Sequence, residues 1–103
     1  MQAVVAERYE SPSMKIEYDE AKRKWTLKNR GLDFEDAAKI FAATDIFLED
    51  DRIDYGETRY ISFGVIDDRP VAVVWTPRGD SKRIISMRHV HEREIEARRR
   101  ALD

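Results

Sequence analysis

The sequence contains no cysteine, and it is poor in glycine and proline, with four and three in 103 residues. Without cysteine, neither a disulfide framework nor a zinc site with thiolate ligands can form. No apolar run approaches the roughly 20 residues of a membrane-spanning helix, and the first thirteen residues lack the apolar core of a signal peptide. We therefore expect a cytoplasmic protein.

Charge is abundant, but neither sign prevails. Charged residues make up 39% of the chain and apolar residues 42%, a composition typical of one globular domain with a heavily charged surface. The net charge of −2 argues against a uniformly basic nucleic-acid binder. The charges are unevenly spread, since residues 45–57 hold six acids and one base, whereas residues 78–103 hold eight bases and five acids. A local basic site is therefore compatible with a mildly acidic protein.

The segment over residues 50–88 predicts the centre of the fold, an antiparallel meander of three short strands. Alternation between two faces indicates a half-buried first strand, and a run that is apolar on both faces indicates a central second strand. Pro70 stands at the start of that second strand, because proline lacks the N–H that a strand interior needs. The predicted strands are Thr58–Ile66, Val71–Thr76 and Arg83–Arg88, joined by turns at residues 67–68 and 76–80.

The flanking segments predict helices around this meander. Asp19 is a good N-cap and Gly31 suits the position after a helix end. The further predicted elements are an edge strand at Lys15–Tyr18, helices at Glu20–Arg30, from Phe34 to Phe41 and at Val90–Leu102, and a strand at Ile46–Leu48. The fold class is thus α+β, a small antiparallel sheet of four or five strands with two N-terminal helices packed on it and a C-terminal helix. Residues 1–13 show no regular alternation of apolar and polar residues. We therefore expect a flexible extension there, followed by one domain over residues 14–103.

Two groups of residues are candidates for a metal site, but neither has the spacing that metal ligands require. If a calcium loop began at Asp51, Ile53 and Tyr55 would stand where oxygen ligands are required. His89 and His91 have no third ligand near them in the sequence. A solvated turn and a pair of surface histidines explain these residues more simply, and we expect neither metal nor cofactor.

Arginines at the predicted strand ends are more informative. Arg59, Arg83 and Arg88 each border a strand, where a rigid sheet can hold a planar guanidinium against a phosphate. Each could instead pair with the acidic loop over residues 49–57, and the sequence does not choose. Positions 83 and 88 are five apart, so on a regular strand they face opposite sides, and only a bulge or an early strand end lets both reach one site.

A phosphate held by such arginines would allow RNA cleavage without a metal. A base removes the proton of the 2′-hydroxyl, cations stabilise the charge on phosphorus, and an acid protonates the leaving oxygen. Composition alone does not select the base or the acid.

Several short motifs from Met14 onward resemble, in their order, the BrnT-type toxins of bacterial type II toxin–antitoxin systems, which are related in fold to RelE-like ribonucleases. The motifs are Ile16-Glu17-Tyr18-Asp19 with Lys22, Gly31-Leu32-x-Phe34-Glu35-x-Ala37, Asp51-x-x-Asp54-Tyr55-Gly56-Glu57-x-Arg59, Thr76-x-Arg78-Gly79 and Arg83-Ile84-Ile85-Ser86-x-Arg88.

This resemblance implies a RelE-like fold and a metal-independent endoribonuclease that cleaves RNA and inhibits translation. It also implies a BrnA-like antitoxin with a ribbon-helix-helix domain, in a 2:2 complex that binds operator DNA through the antitoxin. Among the matching positions, Arg59, Arg83 and Arg88 are expected to bind phosphate and stabilise transition-state charge, and Glu57 to act as the base. The expected substrate-binding residues are Lys22, Arg30 and Arg78.

The chain departs from the family pattern before Gly31. The family often has Asn-x-x-Lys-His-Gly there, whereas this sequence has Thr26, Asn29 and Arg30. A guanidinium does not release its proton near neutral pH, so Arg30 cannot replace a histidine that shuttles protons. The alternative function is therefore a catalytically inactive relative that acts as a protein- or ribosome-binding module.

Overall fold

In a computed structural model, the chain forms one mixed β-sheet with helices against both of its faces. The structure describes residues 3–5, 15–44, 46–50 and 56–100. The strands lie in the order β1-β3-β4-β5-β6-β2 across the sheet. The elements are β1 (Ala3–Val5), β2 (Lys15–Glu17), α1 (Glu20–Arg30), a 3₁₀ turn (Phe34–Asp36), α2 (Ala37–Ala43), β3 (Ile46–Glu49), β4 (Tyr60–Ile66), β5 (Arg69–Arg78), β6 (Ser81–His89) and α3 (Glu92–Arg100).

The antiparallel meander is confirmed as β4, β5 and β6. Asp67 and Asp68 form its first turn with φ values of 50° and 64°, as in the mirror-image turns whose twist suits a two-residue hairpin. The turn predicted over residues 76–80 is present but shorter, because β5 continues to Arg78 and the turn consists of Gly79 and Asp80. β4 begins opposite Trp75, so Pro77 lies where β5 has only β6 as a neighbour, and proline is tolerated at such an edge.

The prediction of a purely antiparallel sheet is also wrong. β2 runs parallel to β6, with Lys15–Glu17 beside Ser81–Arg83. Residue alternation reports which faces a strand covers but not its direction, so the sequence pattern could not reveal this. Five strands come from residues 15–89, and β1 adds a sixth by pairing with β3. The division into an extension over residues 1–13 and one domain stays a prediction.

Helix α1 has the predicted boundaries because both of its caps are satisfied. The Asp19 carboxylate accepts hydrogen bonds from the backbone N–H of Ala21 and Lys22, and Gly31 ends the helix with a φ of 69°. Arg23 then ties the helix to the next turn by donating to Asp33 at 2.8 Å. The two hydrogen bonds that the Arg23 guanidinium donates to the Asp33 carboxylate hold the pKa of Asp33 below its usual value.

The core has two unequal parts, one on each face of the sheet. On the first face, α2 and its 3₁₀ turn cover the centre of the meander. That cluster includes Phe34, Ala37, Ile40, Phe41, Val71, Val73, Trp75, Ile84 and Met87. On the second face, a smaller cluster contains Ile61, Ala72 and Val90, with Phe63, Val74 and Ile95 packed against it. Among the helices of the described residues, α3 is the one that covers this face, and Val65 of β4 is 61% exposed there. No helix of the described residues is both long and apolar enough to cross a membrane.

Helix α2 approaches the sheet most closely at Gly64 of β4. A Cβ at this position would lie 2.8 Å from Cγ1 and 2.9 Å from Cγ2 of Ile40, closer than carbon atoms can pack. The Ile40 side chain is itself 1% exposed, so it has little room to move. Glycine is needed here for the packing of α2 and not for the backbone conformation of β4.

We predict that Gly64→Ala lowers the free energy of unfolding by about 1–3 kcal/mol, the usual range for an overpacked core. Urea denaturation of four chains measures this, namely the natural chain, Gly64→Ala, Ile40→Ala and the double variant. Ile40→Ala removes the two nearest atoms, Cγ1 and Cγ2, and leaves only Cβ at 3.2 Å from the new methyl group, so Gly64→Ala should cost less in that background. An equal cost in both backgrounds would contradict the steric explanation.

Candidate functional site

A β-bulge in β6 decides which side chains share the second face of the sheet. Val74 of β5 pairs with Ser86 and Trp75 pairs with Ile84, so Ile85 is an extra residue without a partner. Arg83 consequently lies opposite Thr76, and Arg88 lies opposite Ala72. Thr76 and Ala72 are four residues apart on β5 and therefore point to the same side. The bulge thus places Arg83 and Arg88 on one face of the sheet, which is the arrangement that they need in order to bind one ligand.

Arg59 belongs to the same face, at the end of the sheet where β4 begins. It precedes Tyr60, which pairs with Trp75, so alternation places Arg59 beside Thr76. Arg83 lies on the other side of Thr76, and neighbouring strands are about 4.8 Å apart. Arg59 and Arg83 are therefore separated by roughly 10 Å at the backbone, close enough for two long side chains to contact one substrate.

Glu57 lies between two of the predicted arginines. Its Oε2 accepts from Arg59 Nε at 3.1 Å, and its Oε1 lies 3.4 Å from Arg78 Nη2. The structure therefore brings together three predicted residues, one carboxylate and two guanidinium groups. The pairing of Arg59 with the acidic loop, which the sequence left open, is made through Glu57.

Arg83 and Arg88 also face carboxylates, but these come from other elements. Arg83 Nη1 lies 3.5 Å from Glu17 Oε1 on the adjacent strand β2. Arg88 makes a bidentate pair with Glu94 of α3, at 2.8 and 3.3 Å. In the unbound protein, carboxylate oxygens thus occupy positions on these two guanidinium groups where phosphate oxygens could bind.

Arg88 stands apart from the other predicted residues. Its partner on β5 is four residues from the partner of Arg83, which corresponds to roughly 13 Å along the strand. The predicted site is therefore divided along the second face. One end holds Glu57, Arg59, Arg78 and Arg83, and the other end holds Arg88.

Lys22 and Arg30 lie at the outer edge of β6, beyond the short strand β2. Lys22 Nζ donates to the carbonyl oxygen of Ile85 at 3.3 Å, and Arg30 Nη1 donates to that of Met87 at 2.7 Å. Helix α1 therefore satisfies carbonyl groups that a further strand would otherwise bind. Because a carbonyl oxygen carries no net charge, these contacts do not neutralise either positive charge.

An open groove of about 260 Å³ lies between α1 and β6 at this edge. Its lining consists of Lys22, Trp25, Thr26, Arg30, Ile85 and Ser86. Trp25 was not predicted from the sequence as a functional residue, although its spacing from Lys22, Thr26 and Arg30 on a predicted helix would have grouped the four. Ser86 was missed because its place between Arg83 and Arg88 depends on the bulge.

The two histidines do not form a metal site with described residues. His89 Nε2 lies 2.9 Å from the carbonyl oxygen of Arg30, and His91 is exposed. In the described part of the chain, no three histidine, aspartate or glutamate side chains are placed to hold a metal ion. Asp51, Ile53 and Tyr55, which the calcium pattern involved, lie outside the described residues.

The family model described as "Ribonuclease toxin, BrnT, of type II toxin-antitoxin system" matches residues 18–94 of the chain. This range contains every site residue predicted from the sequence. No curated protein matches the chain.

We predict that Arg88 and Glu94 stabilise the fold together, with a coupling energy of about 1 kcal/mol, near the upper end for surface ion pairs because the contact is bidentate. A double-mutant cycle with Arg88→Ala and Glu94→Ala in urea denaturation measures this energy, which should fall at high salt. Asp36 and Lys39 of the α2 region supply the control, since their single contact at 3.1 Å involves a lysine that is 70% exposed. Equal coupling energies in the two pairs would show that the bidentate contact between Arg88 and Glu94 does not stabilise the packing of α3 on the sheet.

Proposed function

Because the chain belongs to the BrnT family of ribonuclease toxins from type II toxin–antitoxin systems, we propose that it cleaves RNA without a metal ion and so inhibits translation in the cytoplasm. The observation that carries this proposal is the bulge at Ile85, which brings Arg83 and Arg88 to the face that holds Arg59. Three guanidinium groups on one rigid sheet face suit a polyanion with regularly spaced phosphates.

Glu57 and the arginines have the chemistry that metal-free cleavage requires. When RNA phosphates replace the carboxylate at Arg59 and Arg78, Glu57 is released from its ion pairs and can accept the proton of the 2′-hydroxyl. The 2′-oxygen attacks phosphorus to form a cyclic phosphate, Arg59 and Arg83 stabilise the negative charge on the phosphoryl oxygens, and the departing 5′-oxygen takes a proton from water. Arg88, farther along the strand, holds a neighbouring phosphate.

Membership of a toxin–antitoxin family implies an antitoxin partner. We propose that this partner carries a ribbon-helix-helix domain, that two copies of each chain form the complex, and that the complex binds operator DNA through the antitoxin. The second face is the surface that such an antitoxin would cover, because neutralisation requires that RNA be kept from the arginines. The RelE-like arrangement of the helices belongs to the same proposal.

RNA cleavage by the purified chain in EDTA tests the proposed activity. Wild-type protein should cleave, and Arg59→Ala and Arg88→Ala should each reduce the rate by at least tenfold, the scale of losing one transition-state or phosphate contact of about 1.4 kcal/mol. Arg69→Ala is the matched control. Arg69 is exposed and pairs with the buried Ile66, so it faces the other side of the sheet and its loss should leave the rate unchanged.

Two outcomes would contradict this assignment. Equal rates for wild type, Arg59→Ala and Arg88→Ala would show that the site lies elsewhere, provided that circular dichroism shows the variants to be folded. Cleavage that EDTA abolishes would show that the reaction depends on a metal ion.

The second candidate function is a catalytically inactive module that binds a protein or the ribosome, and Arg30 is the observation that favours it. Arg30→His distinguishes the two, because it restores a side chain that can donate a proton at the position where the family often has histidine. Intact RNA with wild type and cleavage with Arg30→His would establish the inactive module. Cleavage by wild type only when ribosomes are added would establish a ribosome-dependent enzyme.

The proposed assembly is tested by expressing the chain together with the ribbon-helix-helix protein expected from the neighbouring reading frame. We expect light scattering of the purified complex to give the mass of two copies of each chain, and RNA cleavage to be lost in the complex. A stable complex that still cleaves RNA would mean that the partner does not cover the second face.

A further inference from the structure

We propose that the groove between α1 and β6 binds one nucleotide of single-stranded RNA, with the base stacked on the Trp25 ring and the adjacent phosphate held by Lys22 and Arg30. This subsite rests on the proposed function, since it would position RNA for the arginines of the sheet. It adds a residue, Trp25, to which neither the sequence motifs nor the family match gives a role.

Trp25 is exposed in a way that core packing does not explain. Its side chain is 54% exposed, whereas the other tryptophan, Trp75, is 4% exposed and packed in the core. The Arg30 guanidinium carbon lies 5.1 Å from the centroid of the Trp25 ring. This cation–π contact restricts the orientation of the ring. An oriented, accessible aromatic ring is the platform on which proteins stack unpaired bases.

In the unbound protein, the two cations of the groove differ from the other cations of the site in the groups that they contact. Arg59, Arg78, Arg83 and Arg88 face the carboxylates of Glu57, Glu17 and Glu94. Lys22 and Arg30 donate instead to backbone carbonyl groups, and no described carboxylate forms an ion pair with either. A phosphate entering the groove therefore meets two cations without first displacing an acid.

The position of the groove connects it with the proposed cleavage site. Ser86, one of its lining residues, lies opposite Val74, between the partners of Arg83 and Arg88 on β5. A strand of RNA that placed one nucleotide in the groove would therefore continue onto the face that carries the arginines. Base stacking on Trp25 requires that the base be unpaired, so the substrate at this point is single-stranded.

Binding of a short fluorescein-labelled 2′-O-methyl oligoribonucleotide, followed by fluorescence anisotropy, tests the proposal. This probe lacks the free 2′-hydroxyl that cleavage needs, so binding is measured apart from catalysis. Trp25→Ala should weaken binding about 5- to 100-fold, the usual effect of removing one stacked base. Trp25→Phe keeps an aromatic face and should recover most of the affinity. Leu27→Ala is the matched control, because Leu27 is an apolar residue of the same helix, 46% exposed, that does not line the groove.

Two further measurements address the stacking and the charges directly. Probe binding should quench the intrinsic fluorescence of the exposed Trp25 in the natural chain, and this quenching should disappear in Trp25→Ala, where only the buried Trp75 remains. The double variant Lys22→Gln/Arg30→Gln should reduce the slope of log affinity against log salt by about 0.7, the share of the one phosphate that the two residues hold.

The outcomes separate this subsite from the proposed function. Trp25→Ala that binds the probe as tightly as the natural chain overturns the subsite, even if RNA is cleaved normally. Weakened probe binding by Trp25→Ala, in a chain that does not cleave RNA in any assay, supports the subsite and overturns the enzyme. If Trp25→Ala weakens binding of the antitoxin but not of the probe, the groove is a protein interface and the proposal is wrong.

Discussion

The single unpaired residue in β6 is the constraint on which the second face of the sheet depends. Without Ile85 as an extra residue, the side chains beyond it would change faces, and Arg88 would lie on the side covered by α2. The same residue keeps Met87 in the core, so the packing that fixes this register also decides the face on which Arg88 lies. A β-bulge disrupts the local ladder, and here the disrupted edge is covered by α1, whose Lys22 binds the Ile85 carbonyl.

Helix α1 therefore has two roles that the same side chains perform. Lys22 and Arg30 satisfy carbonyl groups at an edge where β2 is too short to pair, and an exposed strand edge is otherwise a site of aggregation. The acceptors are neutral, so the helix closes the sheet while keeping its own positive charge.

Local signals in the sequence were sufficient for the elements whose determinants are local. Asp19 and Gly31 set both ends of α1, and Asp67-Asp68 set the hairpin turn. Failures arose where the answer depended on distant chain segments. The direction of β2 depends on its pairing with β6, and Pro77 could stay in a strand only because β4 starts two residues too late to flank it. The candidate arginines were chosen from their types and motif positions, but their partners Glu17 and Glu94 could be found only from the folded structure.

The carboxylates on the arginines have a consequence for which anions this surface can select. Glu17, Glu57 and Glu94 are tethered to the chain and compete with every incoming ligand at high effective concentration. An isolated phosphate ion that displaces one of them exchanges one ion pair for another and gains little. A chain of linked phosphates can displace several carboxylates in one binding event and shares the entropic cost among them. On the proposed function, the surface therefore discriminates by valency and favours polymers over the abundant small anions of a cell.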